Sequence, residues 1–99
     1  MQNNIVLSEK LQKELISITN KQNTIDAIKE LIKNELIRKR NKYIFMNSNF
    51  EKKYKMKFDD FEKTYKDKEM DYETEKDYFN WDMAVTVLED IEEELMEIE

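Results

Sequence analysis

An all-α, mainly helical fold is what this sequence predicts, and three observations carry the prediction. The 99 residues contain no glycine and no proline, so the usual punctuation of strands and tight hairpin turns is missing. Apolar residues recur at spacings of three and four over most of the chain. Charged residues reach 40%, but 11% aromatic content is too high for plain disorder. Lysine outnumbers arginine 15 to 2, a bias that suggests an AT-rich coding sequence and accounts for part of the missing glycine and proline.

The elements follow in order. Gln2 to Leu7 reads as a short N-terminal strand, with Ile5 and Leu7 on one side of the alternation. Ser8 is an N-cap for a helix of about 8–19, Glu9 suits its first turn, and Leu11, Leu15 and Ile18 form its apolar stripe. Asn20 is placed to end it in a left-handed conformation. Thr24 is the N-cap predicted for a second helix, which Ile25, Ile28, Ile32 and Leu36 carry to about Arg40. Tyr43, Ile44, Phe45, Met46, Phe50 and Tyr54 keep helical spacing, so this helix extends into the fifties, with Asn47-Ser48-Asn49 as its weak point. Phe58, Phe61 and Tyr65 share one face of a short helix over about 57–67. Residues 67–77 have no apolar period and read as an acidic, extended linker, with Thr74 and Asp77 at capping-box spacing. Trp81, Ala84, Leu88, Ile91, Leu95 and Ile98 then mark a long acidic amphipathic helix of about 75–98, whose other side carries Glu89, Asp90, Glu92, Glu93, Glu94, Glu97 and Glu99.

Composition excludes much chemistry. Without cysteine or histidine there are no disulfides, thiolate nucleophiles, imidazole bases or Cys/His zinc sites. Without glycine there is no phosphate-cradling loop and no nucleophile elbow. Carboxylate pairs such as Asp59/Asp60 lie on solvated helix faces, and no spacing singles out a metal cage. The expectation is a non-enzyme with no cofactor and no metal. No apolar run approaches the roughly 20 residues of a membrane span, and no signal-like N-terminus is visible, so a soluble, cytoplasmic protein is expected.

Charge is distributed unevenly. Residues 1–42 hold nine basic and five acidic residues, a net of +4, whereas residues 43–99 hold eight and eighteen, a net of −10. The first half suits a polyanion and the second a basic surface. Tyr54, Phe58, Phe61, Tyr65, Tyr78, Phe79, Trp81, Leu88, Ile91 and Leu95 are the candidate partner-binding residues, because so many aromatics on a small charged chain mark a binding surface if they stay exposed.

The run Ile5-Val6-Leu7-Ser8-Glu9-Lys10-Leu11, followed by Asn23-Thr24-Ile25-Asp26-Ala27-Ile28-Lys29-Glu30-Leu31-Ile32, resembles the ribbon-helix-helix family of dimeric DNA-binding proteins. That resemblance implies a homodimer whose paired strands enter the major groove. It places Gln2, Asn4 and Val6 against operator DNA bases, and Asn23 and Thr24 at a backbone phosphate. The family strand usually carries Arg or Lys, and this one has none. The segment Phe50 to Glu62, with Asp77-Tyr78-Phe79-Asn80-Trp81 downstream, is similar to the C-terminal half of small prokaryotic antitoxins. Lys55 and Lys57 stand there where small or capping residues would be expected. Together the resemblances imply a type II antitoxin: a DNA-binding dimerisation module over 1–44, a helical connector over 45–66, the linker over 67–77, and an acidic partner-binding helix over 78–99. Its partner would be a basic protein toxin of ribonuclease type. The alternative classes are a helical structural or adaptor protein that oligomerises through its amphipathic faces, and an acidic mimic of nucleic acid.

Overall fold

A computed structural model describes residues 6–98, and those residues form four helices: α1 (Glu9–Thr19), α2 (Thr24–Tyr54), α3 (Phe58–Tyr65) and α4 (Tyr72–Ile98). The all-α class predicted from composition is the observed one. No strand occurs among the described residues. Val6 and Leu7 belong to no regular element, while Gln2, Asn4 and Ile5 lie outside the described residues.

Local chemistry sets each helix boundary. Ser8 caps α1 as expected, its hydroxyl accepting from the Leu11 amide at 3.2 Å. Asn20 ends α1 at φ 56° and ψ 28°, the left-handed conformation that glycine usually supplies. The cap of α2 is Asn23 and not Thr24: Asn23 Oδ1 accepts from the Asp26 amide at 2.9 Å, and its backbone carbonyl accepts from Ala27. An asparagine one residue upstream outcompetes threonine because its amide oxygen reaches the third amide while Nδ2 holds the Asp26 carboxylate at 2.9 Å. α2 then runs unbroken through Asn47-Ser48-Asn49. The Asn47 side chain is taken by Glu51 at 3.1 Å and by the Trp81 indole at 2.7 Å, so it does not compete for the backbone.

Past Tyr54 the chain turns through Lys55 at φ 56°, and Lys57 starts α3 without a side-chain cap bond. The start of α4 corrects the linker expectation. Asp71 Oδ1 accepts from the Thr74 amide at 2.8 Å and its carbonyl from Glu75 at 3.0 Å, so residues 72–77 are already helical. Asp71 thus fills the capping role expected of Thr74 with Asp77, which leaves the Asp77 carboxylate for other partners.

The chain forms two compact units, residues 1–35 and 36–99. The boundary expected at residue 44 falls within α2, and the division lies between Glu35 and Leu36. In the first unit Ala27 is the buried residue among those described, and Lys21 reaches Glu30 at 3.8 Å. Leu11, Ile18, Ile25, Ile28, Leu31 and Ile32 stay exposed. In the second unit Phe58, Phe61 and Trp81 make a buried cluster, against which Phe50, Tyr54, Tyr65 and Tyr78 pack. No helix is long and apolar enough to cross a membrane among the described residues.

Candidate functional site

The second unit is built on one tryptophan. Trp81 stacks on Phe50 at 5.5 Å and on Tyr54 at 5.8 Å between ring centroids, and meets Phe58 edge-on at 5.3 Å. Phe61 closes the cluster, 4.9 Å from Trp81, 4.6 Å from Tyr54 and 4.7 Å from Tyr65. Offset and edge-to-face pairs of this kind contribute about 0.5–1.5 kcal/mol each beyond the area they bury. The indole N–H is satisfied by Asn47 Oδ1 at 2.7 Å, so burying Trp81 leaves no orphan donor.

A polar clasp surrounds this core. Lys53 Nζ donates to Glu73 at 2.8 Å and also to Asp77, and the Tyr54 hydroxyl donates to the same Asp77 carboxylate. Burial pushes the Asp77 carboxyl up, but the hydrogen bonds from Lys53 and Tyr54 outweigh it and hold the group below the usual carboxylate range. Burial and the bond to Asp77 push the Tyr54 phenol up to about 12. The Lys53 ammonium is held above its ordinary range, first by Asp77 and then by Glu73. A second tie runs from the Tyr78 hydroxyl to Glu62 at 2.7 Å, which raises the Tyr78 phenol. Both ties grip the first turns of α4 and leave its later turns to present their charge.

The structure divides the candidate partner-binding residues sharply. Phe58, Phe61, Trp81 and Ile91 are buried within the chain, so they offer no partner a surface in this conformation. For the three aromatics the reason is mutual: rings at these spacings on three helices find one another before they meet water. Tyr54, Tyr65, Tyr78, Leu88 and Leu95 are half-buried, and Phe79 is 61% exposed. Phe79 lines a shallow groove with Tyr72, Glu75, Lys76 and Asn80. Tyr72, 83% exposed, and Met83 share that outer face of α4, and the sequence reading had singled out neither. Their helical spacing from Phe79, at seven and four residues, was the signal available.

From Asp77 onward α4 carries no lysine or arginine, and Asp82, Glu89, Asp90, Glu92, Glu93, Glu94 and Glu97 are its described acids beyond the clasp. All seven are exposed, in rows that flank Leu88 and Leu95. Such a surface attracts cations and basic proteins over roughly 10 Å at 0.1 M salt. No group of acids among the described residues converges to hold a metal ion.

The candidate DNA contacts are placed differently. Val6 is exposed, and Gln2 and Asn4 lie outside the described residues. At the start of α2, Asn23 and Thr24 stand beside Asp26, whose carboxylate is tied to Asn23 where a phosphate would have to approach. That negative charge already complements the helix dipole and opposes an anion there.

Comparison with known proteins returns no matching family model, no matching curated protein and no matching solved structure.

Proposed function

We propose that this chain is an antitoxin-like protein that binds and neutralises a basic protein partner, of the kind a small ribonuclease toxin presents, through the acidic outer surface of α4. The observation that carries the reading is the exposed acid surface of α4, with no lysine or arginine after Asp77, on a helix clasped to a folded aromatic core. A rigid acidic helix loses little conformational freedom on binding, and its charge both steers a basic partner and sets its register. Phe79, with Tyr72 and Met83, adds apolar contact that salt does not screen.

The test is capture with tagged full-length protein from its native host at moderate salt, followed by expression of the captured partner alone and together with this chain. The expected result is a single small basic protein in near-stoichiometric yield, whose growth arrest this chain relieves. Glu92→Gln with Glu93→Gln and Glu94→Gln should lower recovery at least tenfold while helicity is kept. Recovery of the chain by itself, or of a partner indifferent to those substitutions, overturns the reading.

The apolar residues left exposed on the first unit favour a second, compatible reading, self-association through α1 and the start of α2. Light scattering of wild type against Ile25→Glu with Ile32→Glu decides it. A shift to monomer supports that reading, and an unchanged mass removes it.

A further inference from the structure

Within the second unit, α2 presents an exposed face that neither the aromatic core nor the acidic helix uses. Asn41, Lys42, Phe45, Asn49 and Lys52 recur at helical spacing and all are exposed. Phe45 stands 67% exposed between the two lysines, which lie about 15 Å apart along the helix axis at the usual rise per residue. No acidic residue occurs from Leu36 to Phe50, while Arg38, Lys39, Arg40 and Lys42 do. The first acid beyond, Glu51, accepts from Asn47 Nδ2 at 3.1 Å, and Asn47 in turn faces Trp81 and the core. Lys42 stays near its own helix, its ammonium 5.5 Å from the Tyr43 ring centroid.

A single strand of nucleic acid uses an exposed phenylalanine, its flanking cations and its neighbouring side-chain amides together. The lysines neutralise phosphates, the ring stacks on a base, and the amides of Asn41 and Asn49 hydrogen-bond base edges or sugars. A duplex hides the base faces that Phe45 needs, whereas a single strand exposes them. An acidic protein would engage the lysines through charge, and polyglutamate, which has the charge but no base to stack, separates that occupant from a single strand.

We propose that the Asn41–Lys52 face of α2 binds single-stranded nucleic acid, with Phe45 as the stacking platform and Lys42 and Lys52 as phosphate contacts. This face is separate from the residues expected to read operator DNA, and it does not depend on the partner-binding role of α4. The net charge of −6 opposes the approach of a polyanion at long range, so the contact is local and needs the ring as well as the charges.

The test measures fluorescence anisotropy of full-length protein with labelled 20-nucleotide oligo-U and oligo-dT, at 50 and 200 mM salt. A matched duplex and polyglutamate serve as unlabelled competitors. Phe45 is exposed, so Phe45→Ala leaves the circular dichroism unchanged, and it should weaken binding about tenfold. Lys42→Glu with Lys52→Glu should abolish binding, and Lys42→Gln with Lys52→Gln should flatten the salt dependence by about 1.4 logarithmic units per decade, the single-strand slope for two phosphate contacts. Tighter binding of oligo-U than of oligo-dT, or the reverse, assigns the strand as RNA or DNA, and equal binding assigns the shared backbone and base chemistry. Displacement by the duplex or by polyglutamate as readily as by a single strand overturns the proposal. So does a Phe45→Ala variant that binds like wild type, or absence of binding to both probes. Capture of the basic partner through α4 reads out separately, so failure of either idea leaves the other standing.

Discussion

Lys55 holds a backbone conformation that a side chain makes costly. Its φ of 56° ends α2 in the left-handed region, where a Cβ costs about 1–2 kcal/mol relative to glycine. Lys55→Gly should therefore stabilise the protein by about 1 kcal/mol and raise the thermal midpoint by several degrees, as scanning calorimetry would show. A fall in the midpoint would mean that the Lys55 stem packs more than its exposure indicates. The corresponding position after α1 was legible beforehand, because asparagine is the residue that substitutes for glycine there and Asn20 takes the conformation. Lys55 was legible only as an anomaly, a long side chain where a small one was expected. By residue type Asn23 and Thr24 both qualify as the cap of α2, and only the geometry around Asp26 separates them. Trp81→Ala should cost about 3–5 kcal/mol in urea unfolding, the range for an aromatic removed from a core. A cost under 1 kcal/mol would show that the ring is not the keystone of the second unit.

At the scale of elements, α4 depends on its clasp, and the clasp depends on pH. The Asp77 carboxyl is held below its ordinary range in the folded chain. Its contribution to stability is thus complete above the unfolded carboxyl value near 4 and is lost as pH falls through the lower folded value. The Tyr54 phenol is pushed up to about 12 in the folded chain. Its contribution is complete below the unfolded value near 10 and is lost as pH rises from there toward 12. Urea midpoints measured from pH 3 to pH 11 should fall on both limbs, and Asp77→Asn should flatten the acid limb, lessen the alkaline one, which burial of Tyr54 partly sustains, and lower the plateau between them. An Asp77→Asn profile parallel to wild type would show that the clasp does not set the pH dependence of stability. The sequence showed that α4 exists and where its apolar stripe lies, because periodicity is local. It did not show that α4 starts at Tyr72. Acidic residues without an apolar period read as linker, and the helical state of 72–77 rests on Asp71 as cap and on Lys53, twenty-four residues upstream of Asp77. Partnerships of that kind leave no mark on a single stretch of sequence.

For the whole molecule, the two units differ in what they bury. The first has Ala27 as its buried residue among those described, while the second has a tryptophan and two phenylalanines at its centre. Local opening free energy follows buried apolar contact. Amide hydrogen exchange should be fast throughout α1 and slowest around residues 78–88 of α4 and 47–54 of α2. Comparable protection of α1 would show that the apolar residues of the first unit are covered in solution, as self-association would cover them. Net charges counted along the chain foretold the acid surface of α4, since charges stay on the outside wherever the fold puts them. The fate of the aromatics was not legible, because identical spacing serves a core and a docking face alike. Whether Phe61 or Phe79 meets solvent is decided by which helices lie opposite.

Trp81 is also the single tryptophan of the chain. Buried among Phe50, Tyr54, Phe58 and Phe61, it makes intrinsic fluorescence a private signal of the second unit, blue-shifted while that unit is folded and blind to α1. Circular dichroism weighs every helical residue alike. The two traces of one melt should therefore part company, with ellipticity beginning its decline at temperatures where emission has not yet moved. Anyone assigning a single melting temperature to this protein by fluorescence would be measuring one of its parts.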